Sequence, residues 1–179
     1  MLEDTYLILT SDHGEMFERG ISGHSTPVLY QPLLKVPLLI FEPGRSERLD
    51  VHAPTSALDI LPTVLYMAGQ AVPPDWTEGV LLPPYNAEVD QQRSVYSVYS
   101  YNSKQDQVLA ESSVAMIKGR YKLVYYFGYK QAAGGLVELF DIETDPQELQ
   151  DLSSAQAAIA DEMLTELKAR LAEVNAPYV

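Results

Sequence analysis

Residues 5–15 read Thr-Tyr-Leu-Ile-Leu-Thr-Ser-Asp-His-Gly-Glu, and we interpret the rest of the chain around this stretch. Thr5 to Leu9 is a short apolar run, rich in strand-forming residues and too short for a helix, which predicts a buried β-strand. In an open α/β sheet, ligands bind just beyond the carboxyl ends of the strands. The polar cluster from Ser11 to Glu15 is therefore expected at such a site.

Asp12 and His13 suit a divalent cation, because a carboxylate supplies a hard oxygen and a neutral imidazole supplies a nitrogen. Gly14 lets the backbone turn away sharply after them. From these residues alone a second interpretation stays open, in which Asp12 caps a turn and His13 is a hydrogen-bonded core histidine.

The composition excludes several functions. The chain has 179 residues, 25 acidic and 12 basic, with a net charge of −13. This balance argues against nucleic acid and against anionic membrane surfaces as partners. There is no cysteine, which excludes disulfides and thiolate metal sites. We expect neither a signal peptide nor a transmembrane helix in this sequence, and the compartment is left undetermined.

We predict two parts, residues 1–92 and 93–179. The first is expected to be the C-terminal part of an α/β layer, with a second buried strand from Val36 to Phe41. It also contains a predicted helix from about Asp59 to Ala68, whose apolar face would carry Leu58, Leu61, Leu65 and Ala68.

The second part is predicted to be a small antiparallel sheet packed against one long helix. Its strands are expected at 94–101, 113–117, 121–127 and 137–140, and its amphipathic helix at 154–174. The predicted fold class is therefore α/β, with an appended antiparallel sheet and helix.

Four stretches of this chain, in order, resemble the sulfatase branch of the alkaline phosphatase superfamily. They are Leu7-Ile-Leu-Thr-Ser-Asp-His-Gly-Glu15; Leu29-Tyr30 with Lys35-Val-Pro-Leu-Leu-Ile-Phe-Glu-Pro-Gly44; Ser56-Ala-Leu-Asp-Ile-Leu-Pro-Thr-Val-Leu-Tyr-Met-Ala-Gly69; and Ile117-Lys-Gly-Arg-Tyr-Lys-Leu123 with Glu138-Leu-Phe-Asp-Ile-Glu-Thr-Asp-Pro-Gln-Glu148. The resemblance is to the C-terminal part of a sulfatase, which implies hydrolysis of sulfate esters.

The resemblance implies that Asp12 and His13 are ligands of a divalent metal, usually Ca²⁺. Many sulfatases have Asn at the second position, and related two-metal phosphodiesterases use an Asp-His pair with Zn²⁺ or Mn²⁺, so the metal stays open. His24 lies roughly where sulfatases place a substrate-binding lysine. It could therefore contact the substrate, act as a catalytic acid or ligate a second metal. The alternative is a loop histidine bonded to the backbone.

Lys35 lies where relatives often carry Arg. It is a candidate substrate contact, although a structural ion pair is the favoured interpretation, and His52 is assigned no functional role. Sulfatases also need a formylglycine nucleophile from a Cys/Ser-x-Pro-x-Arg motif and a paired Asp-Asp. This sequence has neither, because Ser25-Thr-Pro27 is followed by Leu29 in place of the Arg.

We therefore expect a fragment of a metal-dependent sulfatase that needs an N-terminal half and is inactive alone. Two other hypotheses stay open. The parent protein could be a phosphatase, phosphodiesterase or phosphotransferase of the same superfamily, acting on phosphate esters. The chain could also be a stand-alone, non-catalytic interaction protein that pairs an exposed strand with a partner.

Overall fold

A computed structural model describes residues 3–73, 75–86, 90–100, 104 and 107–179. These residues form six β-strands and three α-helices. The strands are β1 Leu7–Thr10, β2 Leu38–Phe41, β3 Val95–Tyr99, β4 Ser112–Lys118, β5 Tyr121–Phe127 and β6 Leu136–Asp141. The helices are α1 Gln31–Leu34, α2 Ile60–Met67 and α3 Ala157–Asn175.

Strands β3 to β6 form an antiparallel meander in chain order, as predicted. Its central hairpin joins β4 to β5 through Gly119 and Arg120, with Lys118 opposite Tyr121. Gly119 has a φ of +55°, a backbone conformation that tight hairpin turns require and glycine adopts without strain. Tyr101, the last residue of the strand predicted at 94–101, lies outside the described residues.

Helix α3 covers one face of the meander. Its buried residues Ala160, Met163 and Leu167 recur at helical spacing, and they pack against Met116 and Leu123 of the sheet. The helix begins three residues later than the predicted Ser154, and Val174 at its far end is exposed. The predicted sheet-and-helix unit is thus confirmed with small shifts at its ends.

The opposite face of the meander is covered by the segment that contains α1. Leu29 is buried there with Val124 and Phe140, and Tyr30 and Leu34 pack against the same cluster. The meander is therefore buried on both sides, by α3 and by residues 29–34. The division of the chain at residue 92 stays a prediction.

Strands β1 and β2 pair antiparallel, with Leu7 opposite Phe41 and Leu9 opposite Leu39. We predicted both strands as buried, and within this chain that is wrong, since these four side chains are 47–53% exposed. Paired and alternate residues share a face of a sheet. The four side chains therefore form one exposed apolar face.

The helix predicted from Asp59 begins as a 3₁₀ turn over Ala57–Asp59 and continues as α2. Its predicted buried face is wrong, because Leu58 and Leu61 are 54% and 43% exposed. The residues it buries are Asp59, Pro62 and Thr63. Asp59 accepts hydrogen bonds from Arg93 and from the backbone N–H of Val80. These contacts hold the polar face of the helix toward the interior of the chain.

None of the helices in the described part of the chain combines the length and the apolar composition needed to cross a bilayer.

Candidate functional site

The segment after β1 is held in place by the backbone of α1. The N–H of Gly14 donates to the carbonyl of Leu33 at 2.8 Å, and the N–H of Glu15 donates to Pro32 at 3.1 Å. A Cβ atom on Gly14 would lie 1.9 Å from the Pro32 oxygen. Only glycine fits so close to this backbone, so Gly14 allows the polar cluster to dock on α1.

A short backbone bridge returns the chain to the same place. Met16, which is fully buried, pairs with Gly23 through two backbone hydrogen bonds of 3.3 and 3.0 Å. Gly23 has a φ of +105°, which disfavours any side chain at this position. The bridge closes the loop between them and sets His24 beside His13 and Glu15.

His13, Glu15 and His24 form a compact cluster of possible metal ligands, with one ligand atom from each within 4.8 Å of the others. The two imidazole rings stack with centroids 3.9 Å apart. Nδ1 of His24 lies 3.2 Å from Oε2 of Glu15, while Oε1 of Glu15 is buried with no hydrogen-bond partner among the described residues. The His24 ring is thus bonded to a carboxylate, and among the residues that the structure describes it makes no bond to the backbone, the predicted alternative.

Asp12 projects into solvent from the same cluster, with its side chain 87% exposed. Its Oδ1 accepts the N–H of His13 at 3.0 Å, and its Oδ2 lies 3.7 Å from Nε2 of His13. The hydrogen bond from the His13 backbone, aided by the nearby imidazole, lowers the pKa of the Asp12 carboxyl. An ionised, exposed carboxylate beside an imidazole fits a divalent cation.

Asp12, His13 and His24 line an open cleft of about 1210 Å³ that also contains Lys35 and His52. Lys35 is exposed, and the ion pair favoured for it is not seen within the described ranges. His52 is exposed as well. The cleft is larger than most small-molecule pockets.

All four residues predicted for the site, Asp12, His13, His24 and Lys35, therefore border one cleft, and three of them are in contact. Sequence reasoning placed Glu15 in the polar cluster but gave it no role. Glu15 contacts His24 because the Met16–Gly23 bridge brings the two residues together. No turn motif in the sequence predicts this bridge.

Comparison with known proteins identifies relatives over most of the chain. A family profile described as "N-sulphoglucosamine sulphohydrolase, C-terminal" matches residues 24–177. The chain is 36% identical over 161 residues to the choline-sulfatase of Rhizobium meliloti and 32% identical over 161 residues to the arylsulfatase K of Mus musculus. Each alignment covers 86% of this chain and 28% of the relative.

A similar solved structure is that of the phosphonate monoester hydrolase of Agrobacterium radiobacter. It aligns with 94% of this chain and 36% of its own length, with 26% identity and a TM-score of 0.69. The chain thus spans 28–36% of the length of these three proteins, and its α/β architecture with an appended sheet and helix agrees with the solved structure.

Proposed function

This chain belongs to the N-sulphoglucosamine sulphohydrolase C-terminal family of the sulfatases, and we propose that it forms one wall of the active site of a sulfuric ester hydrolase. The observation that carries the proposal is the convergence of Asp12, His13 and His24 at one cleft. The nucleophile would come from a segment outside this sequence, so this chain alone is expected to be inactive.

Asp12 and His13 would hold a divalent metal, with Ca²⁺ as the first candidate and Zn²⁺ or Mn²⁺ as alternatives. Ca²⁺ takes about six to eight oxygen ligands, so two side chains cannot complete its coordination and further ligands must come from elsewhere. When bound, such an ion acts as a Lewis acid that polarises the oxygens of the ester.

His24 would contact the substrate directly. Its hydrogen bond to Glu15 fixes one ring nitrogen, which leaves the other to donate to an ester oxygen or to protonate the leaving alcohol. Lys35 adds a positive charge at the same cleft. A local cation matters here because the chain carries a net charge of −13, which repels an anionic sulfate or phosphate ester.

The remaining partner would be the rest of the α/β layer. The exposed apolar face of Leu7, Leu9, Leu39 and Phe41 resembles a sheet surface that has lost its covering layer. Leu58 in the 3₁₀ turn before α2 and Leu61 on α2 are exposed in the same way. Both surfaces are consistent with a chain that spans 28% of its sulfatase relatives.

A chimera tests the proposal. The matching segment of the Rhizobium meliloti choline-sulfatase is replaced by this chain, and hydrolysis of a sulfate ester is measured. Asp12→Asn is expected to abolish turnover, and His24→Gln to lower kcat by about 10²- to 10⁴-fold, the usual contribution of a general acid. His52→Gln, at the same cleft, is the matched control.

Full activity of the His24→Gln chimera would refute the role of His24. Turnover by the isolated chain would refute the proposal that this chain is inactive alone.

A phosphate- or phosphonate-ester hydrolase is the second candidate, favoured by the structural similarity to the Agrobacterium enzyme. Sequencing the DNA upstream of the Met1 codon distinguishes the two. A Cys-x-Pro-x-Arg motif with an Asp-Asp pair in an adjacent coding segment supports a sulfatase. A Thr or unmodified Ser as nucleophile supports the phosphoryl-transfer alternative.

A further inference from the structure

We propose that His13, Glu15 and His24 together form a binding site for a divalent transition metal such as Zn²⁺, within this chain alone. This site differs from the Asp12–His13 pair of the proposed function in its other ligands, and it competes with that pair for Nε2 of His13, because one nitrogen binds one ion. It needs no residue from outside the sequence and does not depend on catalysis.

The first support is the state of each ligand atom. Nδ1 of His13 lies 2.7 Å from the carbonyl of Gly14, so it must carry the proton and donate, which leaves the lone pair on Nε2. Metal-binding histidines characteristically donate their other nitrogen to a backbone carbonyl or carboxylate in this way. Nε2 of His13 is thus held ready to bind an ion.

The second support is the contact between Glu15 and His24. Their facing atoms, Oε2 and Nδ1, lie 3.2 Å apart, close to the roughly 3.3 Å between two ligands of a tetrahedral ion with bonds of about 2.0–2.1 Å. A divalent ion would replace the proton now shared between them. The Oε1 atom of Glu15 is buried without a hydrogen-bond partner in the described part of the chain, and a cation would offset its charge.

The ligands must move closer together to bind an ion. One ligand atom from each residue lies within 4.8 Å of the others, whereas two ligands of a tetrahedral ion lie about 3.3 Å apart, so the widest pair must approach by up to about 1.5 Å. His13 and His24 are about half exposed, so surrounding side chains leave room for this approach. The exposure also leaves a fourth position open to water or to a substrate oxygen.

The donor set determines which metal binds. Two imidazole nitrogens and one carboxylate oxygen suit Zn²⁺, Co²⁺ and Ni²⁺, whereas Ca²⁺ and Mg²⁺ are bound mainly through oxygen, which only Glu15 supplies in this cluster. The acidic character of the chain favours any cation, but the imidazoles make this site selective for the transition ions.

Isothermal titration calorimetry of the full 179-residue chain with ZnCl₂ tests the site. We expect one ion per chain, with Glu15→Gln and His24→Gln each weakening binding by at least about tenfold, at the low end of losses for altered metal sites. His52→Gln, a histidine of the same cleft outside the cluster, is expected to bind Zn²⁺ within about threefold of the wild-type chain, and Asp12→Asn reports whether Asp12 supplies a ligand to the same ion. Circular dichroism confirms that each variant is folded, and Co²⁺ absorption reports on coordination independently.

The outcomes separate this site from the proposed active site. Loss of Zn²⁺ binding in Asp12→Asn, with His24→Gln unaffected, would assign the ion to Asp12 and His13 and overturn the present inference. Absence of Zn²⁺ binding by the wild-type chain at millimolar concentration, or an equal loss in His52→Gln, would also overturn it. A failure of the chimera to hydrolyse esters leaves all of these results unchanged.

Discussion

At the scale of single residues, the site depends on how closely backbone segments approach one another. Gly14 illustrates this, because the carbonyl of Pro32 occupies the space that a side chain at residue 14 would need. The same contact positions the residues that flank Gly14: Asp12 and His13 before it, and Glu15 after it. A single methyl group at this position would therefore disturb both packing and the candidate site.

Gly14→Ala is expected to destabilise the chain by about 1–3 kcal/mol, the usual cost of forcing an extra carbon into a packed site. Urea denaturation followed by far-UV circular dichroism measures the change. Gly134→Ala is the matched control, since its added Cβ meets nothing within 4 Å. Equal stability of the Gly14→Ala and Gly134→Ala variants would show that the approach of Gly14 to Pro32 is not a constraint.

Asp141, at the end of β6, makes stability depend on pH. Arg120 donates to its carboxylate, as do the backbone N–H groups of Glu143 and Thr144, and together they lower the pKa of Asp141 from 3.8 to about 2. A carboxyl whose pKa is lower in the folded state stabilises the fold above its unfolded pKa. That contribution is lost as the pH falls from about 4 to about 2.

Asp141→Asn is therefore expected to lower the urea midpoint at neutral pH and to show a smaller decline in stability over the same acidic range. Denaturation series at several pH values measure both effects. Asp50→Asn serves as control, because Asp50 and its partner Arg48 are largely exposed and surface pairs contribute little. An unchanged acid profile in Asp141→Asn would assign the decline to other carboxyls.

At the scale of elements, the sequence predicted local structure well and burial poorly. The meander and α3 followed from alternating and helical spacing because both bury their apolar faces inside this chain. The same patterns in β1 and α2 gave the right elements, yet Leu9 and Leu61 are exposed. Periodicity identifies an apolar face, but it does not say which part of a protein covers that face.

The site was predictable only where its residues are adjacent in sequence. Asp12 and His13 were recognised together, and His24 was proposed from a resemblance. The contact of His24 with Glu15 depends on the Met16–Gly23 bridge. A loop closure of this kind, with no recognisable turn signature, is set by tertiary packing and cannot be read from local preferences.

The exposed face of β1 and β2 gives a prediction at this scale. Leu39→Glu is expected to reduce self-association and dye binding by the isolated chain, because it places a charge within the apolar face. Sedimentation velocity and the fluorescence of a hydrophobic dye measure these effects. Leu149→Glu, at a leucine that is 71% exposed and lies outside this face, should change neither. Equal effects of the two variants would contradict the proposal that this face is a covered surface.

At the scale of the whole molecule, a buried ion pair connects the meander to the site. The side chains of Lys122, on β5, and Glu148 are both fully buried. The Lys122 amine donates a hydrogen bond to Oε1 of Glu148. The second oxygen of Glu148 accepts the backbone N–H of Gln31 at 2.6 Å, which ties α1 to the sheet. Since α1 in turn holds Gly14 and Glu15, the pair is connected through α1 to the segment that carries these two residues.

Lys122→Met is expected to cost about 3–5 kcal/mol, because it leaves the Glu148 carboxylate buried without its partner. Burial lowers the pKa of the Lys122 amine while Glu148 opposes the shift, so the amine depends on that carboxylate to stay charged. The double variant Lys122→Met with Glu148→Gln removes both charges and keeps an acceptor for Gln31, and it should recover much of the loss. Urea denaturation gives the free energies of unfolding. Arg48→Gln, in an exposed ion pair, is the control and should cost at most about 1 kcal/mol.

If the Lys122–Glu148 pair also positions the site, the Lys122→Met chain binds Zn²⁺ more weakly under conditions where it is still folded, and the double variant regains affinity. Stability lost without any change in Zn²⁺ affinity would confine the pair to a role in folding.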